Sequence, residues 1–132
     1  MLYSLLILAS PHAGDTVHTA QQFAQDVLAR GHDIHRVFFL DDGVLNGSAQ
    51  QVYPQDERAP ASGWVSLAEE HDVELILCVS SALKRGMLDA GEAERYERDA
   101  ATVHPAFVIS GLGQLVDATL ESDRVVTFGG TA

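Results

Sequence analysis

The chain has 132 residues, 46% of them hydrophobic and 20% charged, the length and balance of one globular domain with a sizeable core. Its formal net charge of -11 argues against direct nucleic-acid partners, which need a basic face to release counterions. It argues equally against anionic membrane surfaces, and it permits a basic protein partner. A single cysteine cannot close an intrachain disulfide, so nothing points to an oxidising compartment.

Residues 2–9 form a short continuous apolar run, the pattern of a strand covered on both faces, which SPHAG then breaks. As a secretion signal the run is poor, because no Lys or Arg precedes it and SPHAGD is a weak cleavage site. It is also too short to span a bilayer. A buried first strand in a cytoplasmic protein is the expectation. Residues 16–30 place Val17, Ala20, Phe23, Ala24, Val27 and Leu28 at helical spacing, with Asp15 as N-cap and Gly31 where a terminating glycine belongs. DIHRVFFL (33–40) reads as a second strand. The order β-α-β implies a parallel pair joined by a right-handed crossover.

Residues 41–63 show no period and collect Gly, Asn, Pro, Gln and charge. They are predicted as one long loop, either functional or a plain connector. Residues 64–70 predict a short helix, 75–79 an entirely apolar third strand, and 80–85 another short helix. Residues 90–103 predict a helix with Ala93, Tyr96, Ala100 and Val103 inward. AFVIS (106–110) reads as a fourth strand and RVVTF (124–128) as a fifth. Between them, GLGQLVDATLES predicts a helix that packs through Leu112, Leu115, Val116 and Leu120. The sum is a single-domain, three-layer α/β/α sandwich around a mostly parallel five-stranded sheet. The strand order does not follow from the pattern.

In open parallel sheets, chemistry sits outside the carboxyl ends of the strands, where loops lead into helix N-termini. Cys78 stands at that end of the third strand, in ELILCVSSALKRG. Ser80, Ser81 and the first backbone N–H groups of the next helix would support a thiolate there, with Lys84 and Arg85 within two turns. The residues leave a second reading open. Free cysteine is among the most buried residue types and often serves as a small core filler, and cations near a helix C-terminus also complement its dipole. No second cysteine can resolve a disulfide, so a reactive Cys78 would hold an adduct such as a persulfide or thioester.

The six histidines, His12, His18, His32, His35, His71 and His104, contain no i, i+4 pair, which argues against a metal site. His12 could line the same sheet edge as Cys78, though surface solvation is the preferred reading. SPHAGDT matches neither phosphate-loop pattern, leaving a flavodoxin-like mononucleotide module as a distant alternative.

QFAQDVLARGHDIHRVFFLDDGVLNG, LILCVSSALKRGM and ISGLGQLVDATLESDRVVTF lie in order and cover nearly the whole chain. In these pieces the sequence resembles the DsrE/TusD sulfurtransferase family, its TusD/DsrE branch in particular. The most specific element is the cysteine followed by small residues and then Leu-Lys-Arg-Gly. The resemblance implies that Cys78 is the sulfur-carrying cysteine and that no metal or organic cofactor takes part. It implies related small subunits assembled into a heterohexamer, some of them lacking the cysteine, so a non-catalytic assembly subunit is the alternative. Donor and acceptor carrier proteins would then be the partners, in tRNA 2-thiolation or dissimilatory sulfur oxidation. The 41–63 loop, with Tyr53, Asp41, Asp42, Asp56 and Glu57, is expected to dock an acceptor or a neighbouring subunit.

Overall fold

A computed structural model describes residues 1–130. Five strands, β1 (Leu2–Ile7), β2 (Asp33–Phe39), β3 (Glu74–Cys78), β4 (Phe107–Ser110) and β5 (Arg124–Phe128), form one sheet in the order β4-β3-β2-β1-β5. Every pairing is parallel. The helices are α1 (Thr16–Ala29), α2 (Pro60–His71), α3 (Val79–Lys84), α4 (Ala90–Arg95) and α5 (Gly113–Glu121), and a 3-10 turn runs over Asp41–Gly47.

From β1 to β4 the chain steps one way across the sheet, so right-handed crossovers put α1 and α2 on one face. The return from β4 to β5 puts α5 on the other. Alternate residues of β2 point into the two layers. Phe39 meets Trp64 of α2 edge to face, with ring centroids 5.2 Å apart, whereas Arg36 pairs with Asp117 of α5 at 3.0 Å. Leu75, Ile76, Leu77 and Cys78 of β3 are all buried, which is why that strand reads as an unbroken apolar run.

The expected loop at 41–63 is corrected. Its first seven residues form the 3-10 turn, α2 starts at Pro60, and only 48–59 are irregular. The turn is wedged into the core. A Cβ at Gly43 would collide with the Ile7 carbonyl oxygen, and one at Gly47 would lie 2.8 Å from Cδ1 of Leu77. Fully buried Asn46 donates to the carbonyls of Ala9 (3.1 Å) and Gly43 (2.8 Å) and accepts from Trp64 Nε1 at 3.0 Å. Glycines that suggest flexibility in sequence are here a consequence of close packing.

Two helices also differ from expectation. α4 stops at Arg95, because Glu97 adopts a left-handed φ of 55° and Arg98 N–H closes back on the Ala93 carbonyl at 2.8 Å. Tyr96 and Ala100 are exposed, while Val103 reaches the core through a bridge to Ser48. In α5, Leu115 packs on the core, but Val116, Leu120 and the N-cap residue Leu112 face outward. The sheet side carries Gln114, Asp117 and Ala118. The reason is Arg36, a buried cation on β2 that needs anionic and carbonyl partners. It donates to Gln114 O and Oε1 (2.7 Å each) and pairs with Glu74 (2.9 Å) and Asp117.

Candidate functional site

Cys78 is the last residue of β3, in extended backbone (φ -60°, ψ 124°), and α3 begins with the next residue. Its side chain is 1% exposed, yet Sγ lies only 3.5 Å from Oγ of exposed Ser80. The sulfur therefore sits one side chain beneath the surface. Burial pushes the thiol up, but the hydroxyls and backbone N–H groups of Ser80 and Ser81 outweigh it, leaving the thiol below its ordinary value. These N–H groups belong to the first turn of α3 and have no acceptor within the helix, so they are available to anionic sulfur.

The two cations following the serines do other things. Arg85 Nε pairs with Asp42 Oδ1 at 3.0 Å, and its Nη1 donates to the Ser81 carbonyl at 3.1 Å. Lys84 is exposed and, among the described residues, pairs with no carboxylate. The support for a thiolate thus comes from neutral donors. One participant escapes the sequence reading: the backbone N–H of Asp41 donates to Ser81 Oγ at 3.0 Å. A contact made by a main-chain group forty residues away leaves no compositional signal.

His12 lies in the segment after β1 but pairs with Tyr53, whose hydroxyl is 3.0 Å from Nδ1 and whose ring stacks on the imidazole. The pair pins the irregular 48–59 stretch to that end of the sheet. Burial, and then the charge of Glu57, push the Tyr53 phenol up. The other histidines are dispersed, and the described residues include no group of three potential metal ligands. A crevice of about 460 Å³ opens beyond β1 and β5, lined by Ser10, Thr16, Asp41, Asp42 and glycines among others. Among the described residues its wall has two carboxylates and no cation, a poor setting for a nucleotide phosphate. Among the described residues no helix is long and apolar enough to cross a membrane.

The DsrE/DsrF-like family pattern matches residues 1–128. The chain is 44% identical over 129 residues to the putative sulfurtransferase DsrE of Allochromatium vinosum, covering 98% of this chain and 99% of that one. It is 42% identical over 126 residues to the sulfurtransferase TusD of Serratia proteamaculans, covering 96% and 98%. A TusD homolog of Pseudomonas aeruginosa is 40% identical over 130 residues, 98% of each chain. The crystal structure of the ychN protein from E. coli superposes with a TM-score of 0.74 at 19% identity, covering 97% of this chain and 100% of that one, a likeness of fold.

Proposed function

The chain belongs to the DsrE/DsrF-like family, and from that premise we propose that it is a sulfurtransferase subunit that carries persulfide sulfur on Cys78 and relays it between protein partners. The observation that carries the reading is the thiol itself. It is a single cysteine at the carboxyl end of an interior strand, beside hydroxyl and N–H donors from Ser80 and Ser81 that favour its ionised form.

In the loading step, the Cys78 thiolate attacks the terminal sulfur of a donor persulfide, R–S–SH. The donor's S–S bond breaks, its cysteine leaves as thiolate, and Cys78 becomes Cys–S–SH with the proton retained on the transferred sulfur. In the unloading step, an acceptor thiolate attacks that outer sulfur and Cys78 departs as thiolate. The same donors serve both steps, because a thiol of lower pKa is more ionised as nucleophile and better as leaving group. No oxidant, metal or general base is required. Since Cys78 is buried, the partner's cysteine must displace or reorient exposed Ser80 to reach the sulfur.

Assembly with related small subunits belongs to the same proposal, as does a cytoplasmic location. Leu112, at the N-cap of α5, and Val116 and Leu120 on one side of that helix are 53%, 59% and 78% exposed, opposite the side held by Arg36. Three large apolar residues spaced four apart on a helix make an unusual solvated face, which supports burial against a protein neighbour. The experiment that tests the sulfur-carrying role is incubation with a persulfide donor followed by mass spectrometry of the Cys78 peptide. Whether the relay serves tRNA 2-thiolation or sulfur oxidation is decided by which acceptor protein takes the label.

A further inference from the structure

Two contacts join the Asp41–Gly47 turn to α3 and its C-cap Arg85, and a third, within that segment, closes the ring. Asp41 N–H donates to Ser81 Oγ (3.0 Å), Asp42 Oδ1 pairs with Arg85 Nε (3.0 Å), and Arg85 Nη1 donates to the Ser81 carbonyl (3.1 Å). A single guanidinium thus holds the two segments that the Asp41–Ser81 hydrogen bond also joins. Ser81 is 6% exposed. The Asp41 N–H fixes it and with it the first turn of α3, whose Ser80 hydroxyl lies 3.5 Å from Cys78 Sγ. Asp41 has φ 51°, a left-handed conformation that non-glycine residues seldom adopt and that the surroundings must enforce. The turn enforces it, being fixed behind Asp41 by Gly43 against Ile7 and by buried Asn46.

We propose that Asp42 and Arg85 are positioning residues: their ion pair clasps the turn to α3, so that Asp41 N–H, through Ser81, holds the first turn of α3 and its donors against Cys78. The clasp governs how nucleophilic the sulfur is without touching it. The inference rests on Cys78 being the reacting thiol of the proposed relay.

The sign of one substitution separates positioning from simple charge. The charged groups near this end of β3 are Asp41 and Asp42 on the turn and Lys84 and Arg85 on α3. β4 contributes Phe107 to Ser110, and the end of β2 contributes Phe38 and Phe39, none of them charged. If only charge mattered, Asp42→Asn would remove a carboxylate, release Arg85, and favour the thiolate. If the clasp matters, the same change loosens Ser81 and disfavours it.

The test is the pH profile of iodoacetamide alkylation of Cys78 in the full chain, with folding checked by circular dichroism. Asp42→Asn and Arg85→Gln are each expected to slow alkylation at neutral pH by about three- to tenfold, the scale of a weakened hydrogen bond to a charged group. Their profiles should move to higher pH. Arg85→Lys, which keeps the charge but loses the fork, should recover only part of the rate. In a Ser81→Ala background, Asp42→Asn should have no further effect, because the route through Ser81 is gone. Should Asp42→Asn fail to fold, Arg85→Gln with and without Ser81→Ala provides the same cycle. An unchanged or faster Asp42→Asn protein, or equal slowing in the Ser81→Ala background, overturns the proposal. Alkylation is independent of sulfur loading, so a wild-type chain that takes no persulfide sulfur would refute the relay and leave this result standing.

Discussion

Replacing Asn46 with alanine tests whether the Asp41–Gly47 turn is part of the cooperative core. The side chain is fully buried and makes three hydrogen bonds, two to carbonyls and one from the Trp64 indole. Alanine leaves all three partners without it. A buried group left unsatisfied costs about 1–3 kcal/mol, with the indole N–H, a donor with one hydrogen, at the upper end. Carbonyls have a second lone pair and are penalised less. The expected loss is therefore about 3–5 kcal/mol, a large fraction of the roughly 5–15 kcal/mol that stabilises a typical domain. Urea titration followed by fluorescence of Trp64, the single tryptophan, should show the midpoint falling by about 2 M for an m-value near 2 kcal/mol/M. Substituting exposed Gln50 with alanine should move it little. A loss under about 1 kcal/mol for Asn46→Ala would mean that the turn is not locked, and the positioning of Asp41 would lose its foundation.

Other outcomes follow from the same geometry. Because the folded chain ionises Cys78 more readily than the unfolded one, the thiolate stabilises the fold. That contribution is full above the unfolded thiol value near 9.0 and is lost as pH falls through the lower folded value. Wild-type stability relative to Cys78→Ser, measured by urea titration, should therefore rise with pH across that window. Val116→Asp with Leu120→Asp should leave monomer stability within about 0.5 kcal/mol, as exposed positions do, while reducing co-purification with related subunits; unchanged association would remove α5 from the interface. Asp56→Asn with Glu57→Gln should slow protein-to-protein transfer and flatten its salt dependence while sparing loading by inorganic polysulfide. Equal slowing of both reactions would instead indicate damage at the thiol.

How much of this was legible in the sequence depends on how local each cause is. The strands were readable because a parallel sheet covered on both faces needs uninterrupted apolar runs, and α1 because its apolar residues keep one side. The inward face of α5 was not, since a buried cation contributed by β2 turns a polar side of the helix toward the sheet. Hydrophobicity alone selects the opposite side. The turn at 41–47 looks like loop in sequence because Gly43 and Gly47, signs of flexibility in isolation, are set by carbon and oxygen atoms of β1 and β3. At the site, Cys78, Ser80 and Ser81 were visible because they are contiguous, at a strand-to-helix junction. Arg85 is visible in the same stretch, but its engagement with Asp42 and with the Ser81 carbonyl is a tertiary fact.

The most direct measurement of the central claim is the mass of the Cys78 peptide after exposure to a persulfide donor protein, followed by addition of a thiol acceptor. The wild-type chain is expected to gain about 32 Da, the mass of one sulfur atom, on Cys78 and to lose it when the acceptor attacks the outer sulfur. Cys78→Ser, nearly isosteric and expected to fold, should gain nothing. Sulfur transfer by Cys78→Ser at the wild-type rate, or a folded wild-type chain with a reactive thiol that never acquires the added mass, would contradict the account.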